Sequence, residues 1–196
     1  MSHSVATPVV LTDPGMLWIA ALGTTDPVNT VAGSVFTDDP AVAFVPLGPT
    51  TEGSTFSYET TVEPITVAEF LDPVRYATTE RKGAIAFNLA SWTLSNYQRA
   101  LNGGIAALTA VSGTGATSLF KFEPPEPGAE VRAMILWEST DRTLRLLCRQ
   151  TIQGGAVESA FKKAPDIAAI PCTFNLEIPT GSTKPFTFWS AGVSRG

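Results

Sequence analysis

Fifteen prolines and sixteen glycines punctuate this 196-residue chain. The apolar runs between them are too short for long helices, and short runs bounded by turn-forming residues read as strands. The clearest case is TFSYETTVEP, residues 55–64. Phe56, Tyr58 and Val62 share one parity, with Thr60 between them; Ser57, Glu59, Thr61 and Glu63 share the other. Period-two alternation of this kind suits a strand with one apolar and one acidic face. The parity shifts across Pro64, since Ile65 and Val67 are odd where Tyr58 and Val62 are even. A bulge or sharp turn is expected there, with ITVAEFLD returning from it.

The same logic runs along the rest of the chain. MLWIAALG and AVAFVPLG are early strand candidates, and GAIAFNLASW reads as a half-buried strand. EVRAMILWES and RTLRLLCRQTI flank Thr140-Asp141, a hairpin turn. In the second of these, Leu144, Leu146, Cys148 and Ile152 share one parity, and Arg145 and Arg149 the other. AVESAFKKA, AAIPCTFNLEI and KPFTFWS complete the set, and Pro171 makes its strand an edge or a bulged one. One stretch changes period. TLSNYQRALNGG places Leu94, Tyr97 and Leu101 on one helical face, with Thr93 as N-cap and Gly103 at the left-handed position past the end. The expected fold is mainly β, a sandwich or barrel in a single domain, residues 1–196, with one helix over 93–102.

Composition narrows the function. Charged residues make up 16% of the chain and hydrophobic residues 44%, against about 25% charged in ordinary soluble proteins. The neutral surface left over suits an assembly. A net charge of −5 argues against a binder that neutralises nucleic-acid phosphates. Cys148 and Cys172 form no disulfide framework and fall among apolar residues, as buried thiols do. The start of the chain lacks the pattern of a secretory signal, and its longest early apolar run, residues 16–22, is too short to span a bilayer.

Catalytic chemistry has little to stand on. The one histidine, His3, lies in a polar tail, so neither a hydrolytic triad nor a zinc-ligand spacing can be drawn. GTGATS, residues 113–118, lacks the Lys-Ser/Thr end of a phosphate-binding loop. Asp38-Asp39 has no calcium-loop pattern around it and reads as a solvated turn. Trp18, Trp92, Trp137 and Trp189 sit in or beside apolar strands and read as packing rather than a sugar platform. Arg142, Arg145 and Arg149 read as solvating an exposed face or pairing with carboxylates rather than as phosphate readers. The expectation is a protein that is not an enzyme, with no catalytic, cofactor or metal residues.

Residues 48–73 are read as an outstretched two-stranded ribbon. Covering Phe56, Tyr58, Val62 and Phe70 stabilises by about 1.5–3 kcal/mol each. Ordering roughly twenty backbones costs about 1–2 kcal/mol apiece, so the ribbon needs cover from its own domain or from a neighbouring chain. Removing residues 50–70 is then expected to leave a folded monomer.

The stretch VPLGPTTEGSTFSYETTVEPITVAEFLDPVRYATTERKGAIAFNLASWTLSNYQRALNGG, residues 45–104, resembles the major tail protein of long, non-contractile-tailed bacteriophages, in particular those of actinobacteria. GMLWIAALGTTDP and the hairpin from PGAEVRAMILWES to CRQTIQGG are similar to that family as well. The resemblance implies a tail-tube fold: two antiparallel sheets forming a sandwich or barrel, a flanking helix and a long hairpin that contacts the neighbouring ring. It implies hexameric rings stacked around a tape-measure protein, in a virion tail assembled in the host cytoplasm with tail initiator, distal and terminator proteins. Double-stranded DNA passes through without sequence-specific binding, and no membrane insertion is involved. Candidate contact residues are Phe56, Tyr58, Val62, Ile65, Val67 and Phe70; Glu59, Glu63, Glu69 and Asp72 are candidates for an acidic lumen or ring contact. An acidic lumen repels phosphate, and the same charge opposes stacking, so growth should strengthen as salt screens it. The other reading is a β-sandwich adhesion or decoration module of capsid or tail.

Overall fold

The computed structural model describes residues 14–40, 42–69, 72–113, 118–159 and 168–192. Their architecture is mainly β. The alternating runs form β1 (Met16–Ala21), β9 (Ala133–Glu138), β10 (Leu144–Gln153), β11 (Ile170–Leu176) and β12 (Phe186–Ser190). AVAFVPLG supplies only the two-residue β4 (Val45–Pro46). Two long strands, β5 (Thr50–Ile65) and β6 (Arg75–Leu89), complete an eight-stranded sheet of order β4-β1-β9-β10-β11-β6-β5, with β12 also on β10. Two small hairpins, β2 (Val31–Ala32) with β3 (Val35–Phe36) and β7 (Ala110–Ser112) with β8 (Leu119–Phe120), stand apart. AVESAFKKA gives no strand among its described residues, and residues 160–164 of it lie outside them.

The expected pair of separate sheets is one hydrogen-bonded sheet that folds over itself. The fold comes at β10. Residues 144–148 pair with β12 and residues 151–153 with β11, with a register irregularity between Cys148 and Thr151. That irregularity breaks the expected parity: Leu146 and Cys148 face the main core, whereas beyond it Thr151 is buried and Ile152 half-buried. The main core gathers Leu17 and Ile19 of β1, Ile135 of β9, Ile85, Phe87 and Leu89 of β6, and Phe174 of β11. Strands so far apart in the sheet order share one core only because the two halves face each other. A second cluster lies on the other face of β1, β9 and β10, where Ala20, Met134, Leu136 and Leu147 pack under Phe44, Trp18 and Trp189.

Pro171 sits where β11 has β6 alone as strand partner, since β10 pairs only with residues 174–176, so the proline occupies a local edge. The helix is α1 (Leu94–Ala100), and Thr93 caps it by accepting from the Asn96 N–H at 3.1 Å. The face it buries differs from the one expected. Asn96, Gln98 and Ala100 are buried and Leu94 is exposed, because Asn96 donates to the carbonyls of Leu47 and Ser91 (3.1 and 2.9 Å). The left-handed position past the helix belongs to Asn102 (φ 57°), not Gly103. Gly103 N–H then donates to Gln98 and Asn102 N–H to Arg99, the paired bonds of a Schellman end. Asn102 holds the place because its side chain also bonds the backbone of Gln153 in both directions, each at 2.9 Å.

Of the two roles expected for the three arginines, solvating an exposed face and pairing with carboxylates, the structure shows the second, with carboxylates of this chain. Arg145 is 0% exposed. It pairs with Glu138, itself buried, and donates to the carbonyls of Val28 and Asp38 and to Asn29 Oδ1. Its guanidinium lies 4.4 Å from the Phe36 ring centroid. Arg142 reaches Asp39 at 3.1 Å and stands 3.4 Å from Glu138 without hydrogen-bond geometry at Nε. Asp38-Asp39 is therefore part of a clasp that seats residues 26–39 on β9 and β10, rather than a free turn. Arg149 pairs with Asp26, whose hydrogen bonds hold the guanidinium above its ordinary pKa. Cys148 and Cys172 are free, buried thiols, and burial pushes both up from 9.0 to about 12.

Candidate interaction surface

The β5–β6 hairpin is the longest pairing in the molecule, and its outer half touches little else. Pairing runs from Thr50↔Leu89 to Ile65↔Arg75. β11 accompanies β6 only along residues 84–89. Beyond Gly83, each strand of the hairpin has, among the described residues, only the other as strand partner. From Glu59↔Lys82 to Ile65↔Arg75 the two strands run on alone for about 20 Å at roughly 3.4 Å per residue. Both long edges of this distal ribbon are open among the described residues.

The hairpin differs from the expected one in its return strand. β5 continues through Pro64 to Ile65, and the Val74 N–H donates back to the Ile65 carbonyl at 2.9 Å. The return is β6, not residues 65–72. Pro64 is tolerated inside β5 because one edge of that strand is unpaired. No bulge sits at Pro64. The irregularity lies between Thr61↔Glu80 and Val62↔Thr78, which leaves Thr79 as the extra residue on β6.

Directly opposed residues of an antiparallel pair share a face. One face of the ribbon therefore carries Tyr58, Gly83, Thr60, Arg81, Val62, Thr78, Pro64 and Tyr76. The other carries Glu59, Lys82, Thr61, Glu80, Glu63, Ala77, Ile65 and Arg75. At the root, the apolar face is covered from within the chain. Phe56 and Tyr58 meet Phe186 edge-on at 5.1 and 5.0 Å, and Phe56 meets Phe188 at 5.6 Å. Gly83 is required by close approach: a Cβ there would lie 2.9 Å from the Tyr58 ring and 3.1 Å from Leu176. Farther out the cover stops. Val62 is 52% exposed and Tyr76 62%. The tip adds Val67 and Val74, also exposed.

Of the residues singled out from sequence, Val62, Ile65 and Val67 are exposed on the ribbon or its tip, and Tyr58 is half covered by Phe186. Phe56 is a partly buried member of the main core, so it is the root of the surface rather than a free contact. Phe70 lies outside the described residues. Glu59 and Glu63 are exposed on the charged face, and Glu69 and Asp72 on the turn. That face is not purely acidic. Lys82 stands opposite Glu59 and 3.0 Å from Glu80, and Arg75 stands opposite Ile65. Sequence reasoning missed Tyr76, Glu80, Lys82 and Arg75. The signal was present as alternation in RYATTERKG, but the extra Thr79 puts Tyr76 and Arg81 on opposite parities.

Chemistry elsewhere is sparse. An open cleft of about 400 Å³ between Leu22, Met134, Arg149 and Pro179 holds one cation, Arg149, already paired with Asp26. Among the described residues no group of three or more His, Cys, Asp or Glu could hold a metal ion, and no helix is long and apolar enough to cross a membrane. No protein-family model matches the sequence, and no curated protein matches it.

Proposed function

We propose that this chain is a structural protein of a virion tail, whose copies join through the distal ribbon into hexameric rings that stack as a tube for DNA. The observation that carries the reading is the ribbon, with two edges open among the described residues and an uncovered face on which Val62, Pro64 and Tyr76 stand beside Thr60, Thr78 and Arg81. A two-stranded ribbon alone is marginal in water. Open edges are templates for further strands, and a 16-residue edge such as that of β5 invites pairing unless something occupies it. The β6 edge of one copy can pair with the β5 edge of the next. That contact is heterologous, so it repeats, and it closes when the rotation per copy allows. The resemblance to phage major tail proteins supplies the ring number, the tape-measure, initiator and terminator partners, and the passing duplex.

Electron microscopy of the purified protein, alone and with a tail initiator and tape-measure protein, tests this. Tubes or rings of uniform diameter are the expected product. A decoration or adhesion module would stay monomeric under all these conditions and bind a capsid, tail or receptor instead. A shortened hairpin, with residues 60–81 replaced by a two-residue turn, should stay folded and lose assembly. This replaces the deletion of residues 50–70, which would remove β5 and strip the partner from the buried half of β6.

A further inference from the structure

Five asparagines occur in this chain, and Asn102 is the one followed by glycine. Asparagine is thermolabile. The backbone nitrogen of the next residue can attack its side-chain carbonyl carbon, and a glycine there puts no side chain in the way. Asn29, Asn88, Asn96 and Asn175 precede Thr, Leu, Tyr and Leu, whose side chains obstruct the approach. The fold nevertheless requires the labile pair. Position 102 takes a left-handed backbone (φ 57°), which asparagine tolerates better than most residues, and its carboxamide bonds the Gln153 backbone in both directions. Position 103 has no room for a side chain, since a Cβ would lie 2.5 Å from the Phe122 ring and 2.8 Å from Gln98 Cγ. Two separate demands therefore put Asn-Gly at the joint between α1 and β10.

The same joint holds the pair shut. Gly103 N–H donates to the Gln98 carbonyl at 2.8 Å, so the attacking nitrogen is turned toward the helix. The carboxamide it would attack is turned toward Gln153, accepting through Oδ1 and donating through Nδ2 at 2.9 Å each. The Asn102 carbonyl accepts from Val131 N–H at 2.9 Å, and Gln98 Nε2 donates to the Gly103 carbonyl at 3.0 Å. Attack needs the Gly103 bond and both side-chain bonds released together. We infer that Asn102 is a deamidation site closed by this joint, and that reaction during an opening leaves the joint unable to close again. Gly103 nitrogen gives its proton to solvent base and attacks Asn102 Cγ. The new C–N bond forms as Cγ–Nδ2 breaks, and Nδ2 takes a proton from water and leaves as ammonia. Water then opens the five-membered imide at either carbonyl, giving aspartate or isoaspartate, with no oxidation or reduction. Either product spoils the joint. Aspartate has acceptors only, so the bond to the Gln153 carbonyl is lost and two oxygens face each other. Isoaspartate adds a carbon to the main chain and displaces the left-handed position. The inference is independent of the tail reading.

The test is mass spectrometry of the full chain, held warm at one mildly alkaline pH in buffer or in guanidinium chloride and then digested with trypsin. Peptide 100–121 carries Asn102 as its only side-chain amide, and peptide 83–99 carries Asn88 and Asn96. In the unfolded chain 100–121 should convert first, about tenfold or more ahead of 83–99, because only Asn102 precedes glycine. In the native protein its conversion should be about 100-fold or more slower than in the unfolded chain, the protection that a closed local joint confers. Native and unfolded rates within about tenfold of each other, or 83–99 converting first in the unfolded chain, overturn the inference. The consequence is read on Asn102→Asp by timed deuteration. The amides of Gly103, Val131 and Gln153 should exchange about tenfold or more faster than in the wild type, while those of β9 keep their rates. Wild-type exchange at all three overturns it. Chains deamidated in guanidinium and refolded beside unreacted ones give the same reading without the variant. Converted chains should be enriched in the protease-sensitive fraction, and equal representation in both fractions overturns the consequence.

Discussion

The β9–β10 hairpin and the distal β5–β6 ribbon are both antiparallel pairs, yet one is covered on both faces and the other on neither. β9 buries five of its six residues, with Ile135 facing the main core and Leu136 the second cluster. Its neighbours, β1 on one side and β10 on the other, satisfy both edges. The ribbon has the same ladder and none of that company. The difference shows that hydrogen-bonded pairing alone does not make a stable element. Backbone bonds contribute about 1 kcal/mol net apiece, and only the burial of both faces turns a ladder into a core.

The contrast is sharpest in amide exchange. Amides of β9 and residues 145–148 should exchange only through global unfolding, at least about 10⁴-fold slower than those of residues 59–65 and 75–82 in the unassembled protein. Mass spectrometry of timed deuteration reads this directly; slow exchange along a monomer's ribbon would break the comparison. On assembly the ribbon should approach the slow class.

Next in size is the buried ion pair. Glu138→Ala leaves the Arg145 guanidinium buried beside Phe36 without its carboxylate, and such a loss costs about 3–5 kcal/mol. Urea denaturation should show it, and residues 26–39 should become accessible to protease first. Tyr76→Ser on the ribbon should shift monomer stability by no more than about 0.5 kcal/mol. Equal effects for the two substitutions would erase the distinction between covered and uncovered strands.

The thiols give a smaller effect with a definite sign. Burial raises Cys148 and Cys172 to about 12, so the folded state holds these protons where the unfolded state has released them. Their stabilising contribution is complete below pH 9 and is lost as pH climbs from there toward 12. Cys148→Ala should flatten that slope, and thiol reagents at neutral pH should reach neither residue without unfolding.

Smallest is a surface pair. Glu177 accepts from Gln150 and Arg132, and these bonds hold its carboxyl below the ordinary range. Its contribution is present above pH 4.5 and is lost as pH falls through the depressed value, and for a pair that solvent still reaches it stays under about 1 kcal/mol. Comparing acid titrations of the wild type and Glu177→Gln measures it. For assembly, by contrast, added salt should speed growth, because the chain carries −5 and its ribbon five acidic against three basic residues over 59–82. Growth rates indifferent to salt would count against charge as the opposing force.

Most strands could be read from alternation and turn residues, because both are local. β1, β9, β10, β11 and β12 fall on the runs that predict them, and Thr93 caps the helix it precedes. The ribbon was legible as an outstretched alternating hairpin but not in its boundaries. Pro64 looks like a turn in sequence and is an edge-strand residue in space, and an open edge is not visible in a string of letters. Thr79 hid Tyr76 for a related reason, since a bulge breaks parity without any special residue type. The helix face was misread because Asn96 finds the carbonyl of Leu47, forty-nine positions away.

Taken by itself, the order of residues determined where strands alternate and where turns interrupt them, since each depends on neighbours one to four positions apart. The tertiary structure alone decided which alternating faces are finished. β12 comes back from more than 120 positions along the chain to cover Phe56 and stops short of Val62, and that distance is set by how the whole sheet folds over. Burial is a property of what arrives from elsewhere, and no local pattern carries it.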